Sequence, residues 1–248
     1  MAPLARHAAA RRIALALGAP FADKVPMTDT RMTPFRLKPQ SAARWVLLGI
    51  ILINVAVECA LSGADLGLWG DGRWRGLAYQ YGGFWAGLLY DWQPNYAAQP
   101  VTMFASYAVL HAGPAHLIGN MAGLIWLGDL AAHRVGARGL VLLYVGSALG
   151  GAVAFGAITE SAAPMIGASG AIFGLAGAWT VWDWQNHRAR PDRIWAWRTP
   201  AIVLGLAGMN AAIWVTQGGN LAWQTHLGGF IAGAVLAMWK RGSRGGRV

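Results

Sequence analysis

A serine, two histidines and an asparagine interrupt the apolar second half of this chain. Ser169 lies in Gly167-Ala168-Ser169-Gly170, His116 precedes Asn120 by one helical turn, and His226 stands ahead of Gly229 and Gly233. A serine hydroxyl becomes a strong nucleophile when a histidine takes its proton, and polar donors can hold the oxyanion that its attack creates. These are the parts of a hydrolase that works through an acyl-enzyme. Polar side chains are costly in a bilayer interior and usually have a task there. Each of the three groups opens a long hydrophobic segment. If those openings lie in one leaflet, the four side chains can meet.

Each group alone also has a plain structural reading. His116 and Asn120 share one helix face about 6 Å apart along the axis and could simply bond a neighbouring helix. Ser169, with Gly170, Gly174 and Gly177, could be one more small residue in a tight helix contact. His226 could be a lone interfacial histidine facing water. Their combination points further. A serine at a helix start lies beside free backbone N–H groups that can stabilise an oxyanion. Gly229 and Gly233 give the His226 helix a smooth face for close contact with the glycines after Ser169. The only acidic residue near these openings is Glu160, so a Ser–His dyad is expected in place of a Ser–His–Asp triad.

Composition places these residues in a membrane protein. Charged residues make up only 12% of the 248, the mean hydropathy is +0.39, and apolar runs cover most of residues 45–240. The 34 glycines suit close helix packing in lipid, and the 14 tryptophans suit interfacial belts. The lone Cys59 excludes an intrachain disulfide, and no metal site or cofactor is expected. The net charge of +10 does not signal nucleic acid, because the basic residues flank hydrophobic runs instead of forming a patch.

A bilayer-crossing helix needs roughly 20 mostly apolar residues. Six segments are predicted: Trp45–Leu61, Ala115–Ala132, Leu140–Ile158, Ser169–Trp184, Pro200–Gln217 and Thr225–Lys240. The second-to-third connection carries Arg134 and Arg138, and the fourth-to-fifth carries Arg188, Arg190, Arg193 and Arg198; the third-to-fourth and fifth-to-sixth connections carry no Lys or Arg. The positive-inside rule then puts both termini in the cytoplasm. The second, fourth and sixth segments run outside to inside, so His116, Ser169 and His226 fall in the outer leaflet. None of them entered the charge argument.

The rest of the chain divides simply. Residues 1–44 are expected to form a basic cytoplasmic tail near anionic lipid, although Arg6, Arg11 and Arg12 before Ile13–Ala19 faintly resemble a targeting peptide. Residues 45–240 form the six-helix domain, and 241–248 a basic cytoplasmic tail. The external connection, about Ser62–Pro114, is rich in Gly and aromatics and is expected to lie partly in the membrane interface, or else to form a folded cap. Trp182, Trp184, Trp195 and Trp197 are expected as cytoplasmic belt anchors.

The ordered motifs resemble the rhomboid family of intramembrane serine proteases. The match runs through His111-Ala-Gly-Pro-Ala-His116-Leu-Ile-Gly-Asn120-Met121, then Gly167-Ala-Ser169-Gly170, then His226-x-x-Gly229-x-x-x-Gly233, with Arg134-x-Gly136 resembling the connection after the family's second helix. Any one motif is common, but the ordered set is specific. The resemblance implies an all-α, six-transmembrane-helix core with both termini cytoplasmic and a water-filled cavity opening outward. It implies Ser169 as nucleophile and His226 as general base and later acid. His116, Asn120 and the Ser169 backbone N–H would form the oxyanion hole. Phe173 occupies the position of an aromatic that stacks on the catalytic histidine, and His111 that of a structural histidine; Gly167, Gly170, Gly229 and Gly233 would support the site. The implied partners are single-pass or other membrane-protein substrates and the bilayer. A cell membrane, the bacterial inner membrane, is the expected location.

Two positions depart from the family pattern. Thr102-Met103-Phe104 stands where many members carry an Arg, and Ala132 where many carry a Glu, with Asp129 and His133 nearby. These departures bear on the structure of the external loop. The main alternative is a non-catalytic rhomboid-like protein that binds membrane clients, although such relatives usually lack the Ser or the His. A transporter is disfavoured because the segments are nearly all apolar below their polar openings.

Overall fold

The computed structural model describes residues 41–188, 195–216, 218–219 and 221–242. The basic tails, up to residue 40 and from 243, lie outside the described residues, as does most of the basic fourth-to-fifth connection. The described residues are all-helical apart from one antiparallel bridge between Phe84 and Met165.

Five long helices, α1 (Ser41–Asp65), α4 (Pro114–Ile158), α5 (Ser169–Arg188), α6 (Trp195–Thr216) and α7 (Trp223–Gly242), carry the apolar segments. Two short helices, α2 (Arg73–Gly82) and α3 (Gln99–Ser106), lie in the connection after α1. The helix starts follow the predicted segments closely. Gly113, with φ 106°, precedes Pro114 in the first turn of α4, where a fixed φ and a missing N–H cost nothing.

The predicted second and third segments form the two limbs of α4. Their connection shrinks to Gly136, whose φ of 68° and ψ of −173° break the helix. A left-handed φ of this kind costs a side-chain-bearing residue what glycine avoids. The chain folds back here. His116, near one end of α4, touches the Gly167 position, and Gly151, near the other end, packs against Gly170 and Thr225.

By length and hydropathy, Ala42–Asp65 and Pro114–Ile158 qualify as membrane-crossing helices, and Thr199–Ala212 is a shorter apolar stretch. Each limb of α4 is about 33 Å long at 1.5 Å per residue, enough for one crossing. Among the described residues α5 and α7 fall below that threshold. Polar residues and glycines dilute both helices. Outward aliphatics on the long helices are bare, including Leu142 of α4 at 57% exposure, Leu204 of α6 at 71% and Val235 of α7 at 53%. Water penalises so much apolar surface, whereas hydrocarbon does not. The fold is that of a membrane protein.

Glycine sets the packing of α7. A Cβ on Gly229 would strike the carbonyl of Gly170, and one on Gly233 the carbonyl of Gly174. The matching order makes α5 and α7 parallel. Across the other face, Gly228 meets Ala154 and Gly150, and Leu236 meets Gly146. That reversed order makes α7 antiparallel to the second limb of α4. The starts of α4, α5 and α7 thus come together at one end of the bundle. By contrast α6 packs sparsely, chiefly on α5.

The connection between α1 and α4 is a folded cap, not a loose loop. Phe84 is fully buried, edge-on to Phe104, Tyr107 and Phe155. The Phe84 N–H donates to the Met165 carbonyl (3.0 Å) and the Met165 N–H to the Phe84 carbonyl (2.9 Å). Trp69, Trp74, Tyr90 and Trp92 stay exposed on its surface. Among the expected belt tryptophans, Trp184 and Trp197 are exposed but Trp182 is buried, with the Arg134 guanidinium 5.2 Å from its ring. The Trp195 side chain lies outside the described residues. Asp129 sits 3.4 Å from the His133 ring, and Cys59 faces outward from α1.

Candidate active site

Ser169 is the first residue of α5 and His226 lies one turn into α7, so their side chains reach across the parallel glycine contact. His226 Nε2 is 2.8 Å from Ser169 Oγ. That is hydrogen-bond distance for a hydroxyl handing its proton to an imidazole. The close approach depends on Gly170 and Gly229, because any side chain on Gly229 would push α7 away. Phe173, one turn after Ser169, lies flat on the His226 ring, with centroids 4.2 Å apart and planes 3° off parallel. This stacking leaves the imidazole little freedom to swing.

The expected oxyanion donors gather around Gly167, whose φ is +118°. A Cβ there would lie 3.0 Å from His116 Nε2 and 3.4 Å from Asn120 Nδ2. Glycine is therefore required both by conformation and by space. The Gly167 N–H donates to the Tyr107 carbonyl (2.9 Å), and the Tyr107 hydroxyl to the Ala148 carbonyl (2.8 Å). His116 Nδ1 accepts a hydrogen bond from the Ala112 N–H at 3.3 Å. A ring nitrogen that accepts carries no proton, so in the neutral ring Nε2 holds it and can donate. Asn120 Nδ2 is buried with no hydrogen-bond partner among the described residues. Native structures seldom leave such a donor idle. The first N–H groups of α5 add backbone donors beside Ser169. The arrangement can host a negatively charged oxygen within reach of the Ser169 hydroxyl.

His111 is buried edge-on to His116, with ring centroids 5.1 Å apart. Burial, and then the neighbouring His116, lowers its pKa to about 4, so it stays neutral. Its carbonyl accepts from Arg75 Nη1 at 2.8 Å and from the Tyr79 hydroxyl at 2.7 Å. The oxygen these groups hold belongs to the same peptide unit as the Ala112 N–H that meets His116. Clamping one end of that planar unit orients the other.

Sequence reasoning missed this clamp. Glu58, 2% exposed in α1, receives two bonds from Arg75 at 2.8 and 3.1 Å, while Asp65 takes the Arg75 Nε at 2.6 Å. The Glu58 bonds, as the largest cause, push the Arg75 pKa still higher. The family pattern's missing Arg and Glu left the loop's anchoring open; Arg75 and Glu58 supply it from other positions. A polar ladder was visible in Asn54, Glu58 and Ser62 at four-residue spacing within an apolar segment. Replacing Glu58 with alanine is expected to destabilise the protein by about 3 kcal/mol, since it strips a shielded guanidinium of its bidentate partner. Thermal unfolding in detergent would register the change, and an unaltered midpoint would remove the clamp from the account.

Asn210 of α6 was also missed. Its Oδ1 lies 2.7 Å from His226 Nδ1. It is a single polar residue in an apolar run with no motif around it. The expected dyad therefore has a third neighbour, an amide; among the described residues no carboxylate bonds or pairs with His226.

A rhomboid-domain family model matches residues 98–242, more than half of the chain, and that span contains Ser169, His226, His116 and Asn120. The chain is 33% identical over 128 residues to RHOMBOID-like protein 1 of Arabidopsis thaliana, covering 51% of this chain and 31% of that protein. It is 31% identical over 140 residues to Rhomboid protease GluP of Bacillus subtilis, covering 56% and 27%. With RHOMBOID-like protein 5 of Arabidopsis thaliana it shares 33% identity over 130 residues, covering 51% and 40%. The alignments thus span well under half the length of these relatives. With its helices, its glycine packing and the matched domain taken together, this chain belongs to the rhomboid family.

Proposed function

We propose that this protein is an intramembrane serine endopeptidase that hydrolyses peptide bonds in or beside the transmembrane helices of membrane proteins. In this reading residues 45–240 form a six-span domain, with both α4 limbs crossing. Both termini are cytoplasmic, and the site opens to the opposite face of the cell membrane. The reading rests above all on the Ser169–His226 hydrogen bond, 2.8 Å long, beside a buried Asn120 Nδ2 with no partner among the described residues. Family membership and the protease named among the relatives support it.

The reaction begins when Ser169 Oγ attacks the scissile carbonyl carbon and its proton passes to His226 Nε2. The carbonyl oxygen, now negative, takes hydrogen bonds from His116 Nε2–H, Asn120 Nδ2–H and the Ser169 N–H. As the tetrahedral intermediate collapses, the C–N bond breaks and His226 returns its proton to the leaving amine. Water, deprotonated by His226, then hydrolyses the acyl-enzyme. Phe173 and His111 touch these imidazoles and hold their planes.

A helical peptide bond is shielded by its own backbone, so the substrate must unwind before attack. Glycine or proline near the cleaved bond lowers that cost by about 1 to 3 kcal/mol. The test is to reconstitute the purified protein in liposomes with single-helix reporters that differ only in one central Gly-containing segment. The expected result is two fragments whose new ends, read by mass spectrometry, fall in or next to the helix of the Gly-containing reporter. Intact reporters under all conditions would favour a client-binding relative.

A further inference from the structure

We infer that Asn210 is a positioning residue for the His226 base, so that the working unit is Ser169–His226–Asn210, carried on three different helices. The inference rests on the protease reading above. It starts from an oddity of α6, which carries no polar side chain between Pro200 and Val215 except Asn210 and faces outward along most of its length. An amide on such a helix is costly unless it finds a partner. Its Oδ1 meets His226 Nδ1 at 2.7 Å.

The chemistry of that contact is directional. An amide oxygen only accepts, so Nδ1 must be the donor and must carry the proton of the neutral ring. Nε2 is then left with its lone pair aimed at Ser169 Oγ, 2.8 Å away. That is the one tautomer in which His226 can take the serine proton. Phe173 restrains the ring against tilting, but a face-to-face contact does not choose between nitrogens. Asn210 does. An asparagine serves the same orienting purpose beside a Cys–His pair in other protease folds. Being neutral, it orients the imidazole without adding a charge that would stabilise the imidazolium.

The surroundings make the electrostatic consequence readable. From α5, His226 faces Ser169 and the uncharged Phe173. From α4 the titratable neighbour is His116. From α6, among the described side chains, it faces the neutral Asn210. Introducing a carboxylate at 210 therefore places the first negative charge against the ring.

The test uses the full chain in liposomes with a cleavable transmembrane reporter, comparing wild type, Asn210→Ala and Asn210→Asp across pH. Asn210→Ala is expected to lower kcat by roughly 10- to 100-fold, because the ring loses its tautomer bias, with KM little changed. Asn210→Asp is expected to regain part of that activity. It should also move the acid limb of the kcat/KM profile upward by about one pH unit or more, since an adjacent negative charge favours the protonated imidazole. Wild-type kcat and an unmoved acid limb in both variants would overturn the inference. If Asn210→Ala lowers the melting temperature enough to prevent assay, Asn210→Asp decides alone, and an unmoved limb overturns the inference there too. The protease reading is tested separately in the same liposomes by Ser169→Ala. Cleavage that survives Ser169→Ala rejects that reading, whereas loss of cleavage with an insensitive Asn210 rejects only the present inference.

Discussion

Replacing Ser169 with alanine is expected to bring reporter cleavage down to background, a loss on the order of 10⁶-fold. Among the described residues the hydrogen-bond partner of His226 Nε2 is Ser169 Oγ, at 2.8 Å. His226→Ala should cost nearly as much, because an alcohol without a base is a poor nucleophile near neutral pH and the departing amine would lack its proton donor. The double variant should be scarcely worse than either single one. Residues that act as a unit lose their whole effect when one is removed. Ser169 is only half-buried and replacing it removes one oxygen, so the variant should melt close to wild type. Purified variants assayed beside wild type, with melting curves as the control for folding, provide the check. Additive losses would mean that the two residues act separately.

Loss of the oxyanion donors is expected to have the next largest effect. Asn120→Ala should lower kcat by about 10²- to 10³-fold with little change in KM, the usual size for one donor aimed at a developing negative charge. Asn120 Nδ2 is buried with no partner among the described residues, so its removal breaks no bond to them at that atom. His116→Ala should cost a similar factor. It also removes the ring against which His111 packs edge-on, at 5.1 Å between centroids, so some loss of stability should accompany it. Steady-state kinetics on a single reporter separate the two quantities. A rise in KM at constant kcat would show that Asn120 binds substrate equally in ground and transition states, and would remove it from the oxyanion role.

The parts of this molecule readable beforehand were those governed by one-dimensional rules. Among the described residues each long helix coincides with an apolar run, two runs sharing α4, because burial in lipid demands a continuous stretch. Ends shifted by a few residues where helices such as α1 continue past the apolar run into the cap. Glycine spacing anticipated that α5 and α7 touch, since Gly229 and Gly233 leave space that only another backbone can fill. Contacts between distant residues without a motif were not readable. Glu58 and Arg75 pair across seventeen residues of sequence, and Asn210 meets His226 from a helix with no other polar residue between Pro200 and Val215. Each was visible only as a polar residue in the wrong company. The connection between α1 and α4, expected to lie partly in the membrane interface or to form a folded cap, packs as a cap: Phe84 and Tyr107 are core residues, and Phe84 also meets Phe155 from a separate helix.

The central claim is that His226 activates Ser169 as a nucleophile. A serine-directed fluorophosphonate probe tests it without knowledge of any natural substrate. The protein in liposomes is treated with the probe, digested and mapped by mass spectrometry. The account predicts an adduct on Ser169 in the wild type, and its absence or very slow formation in His226→Ala. An unlabelled Ser169 in folded wild-type protein, or labelling that proceeds equally fast without His226, would contradict it.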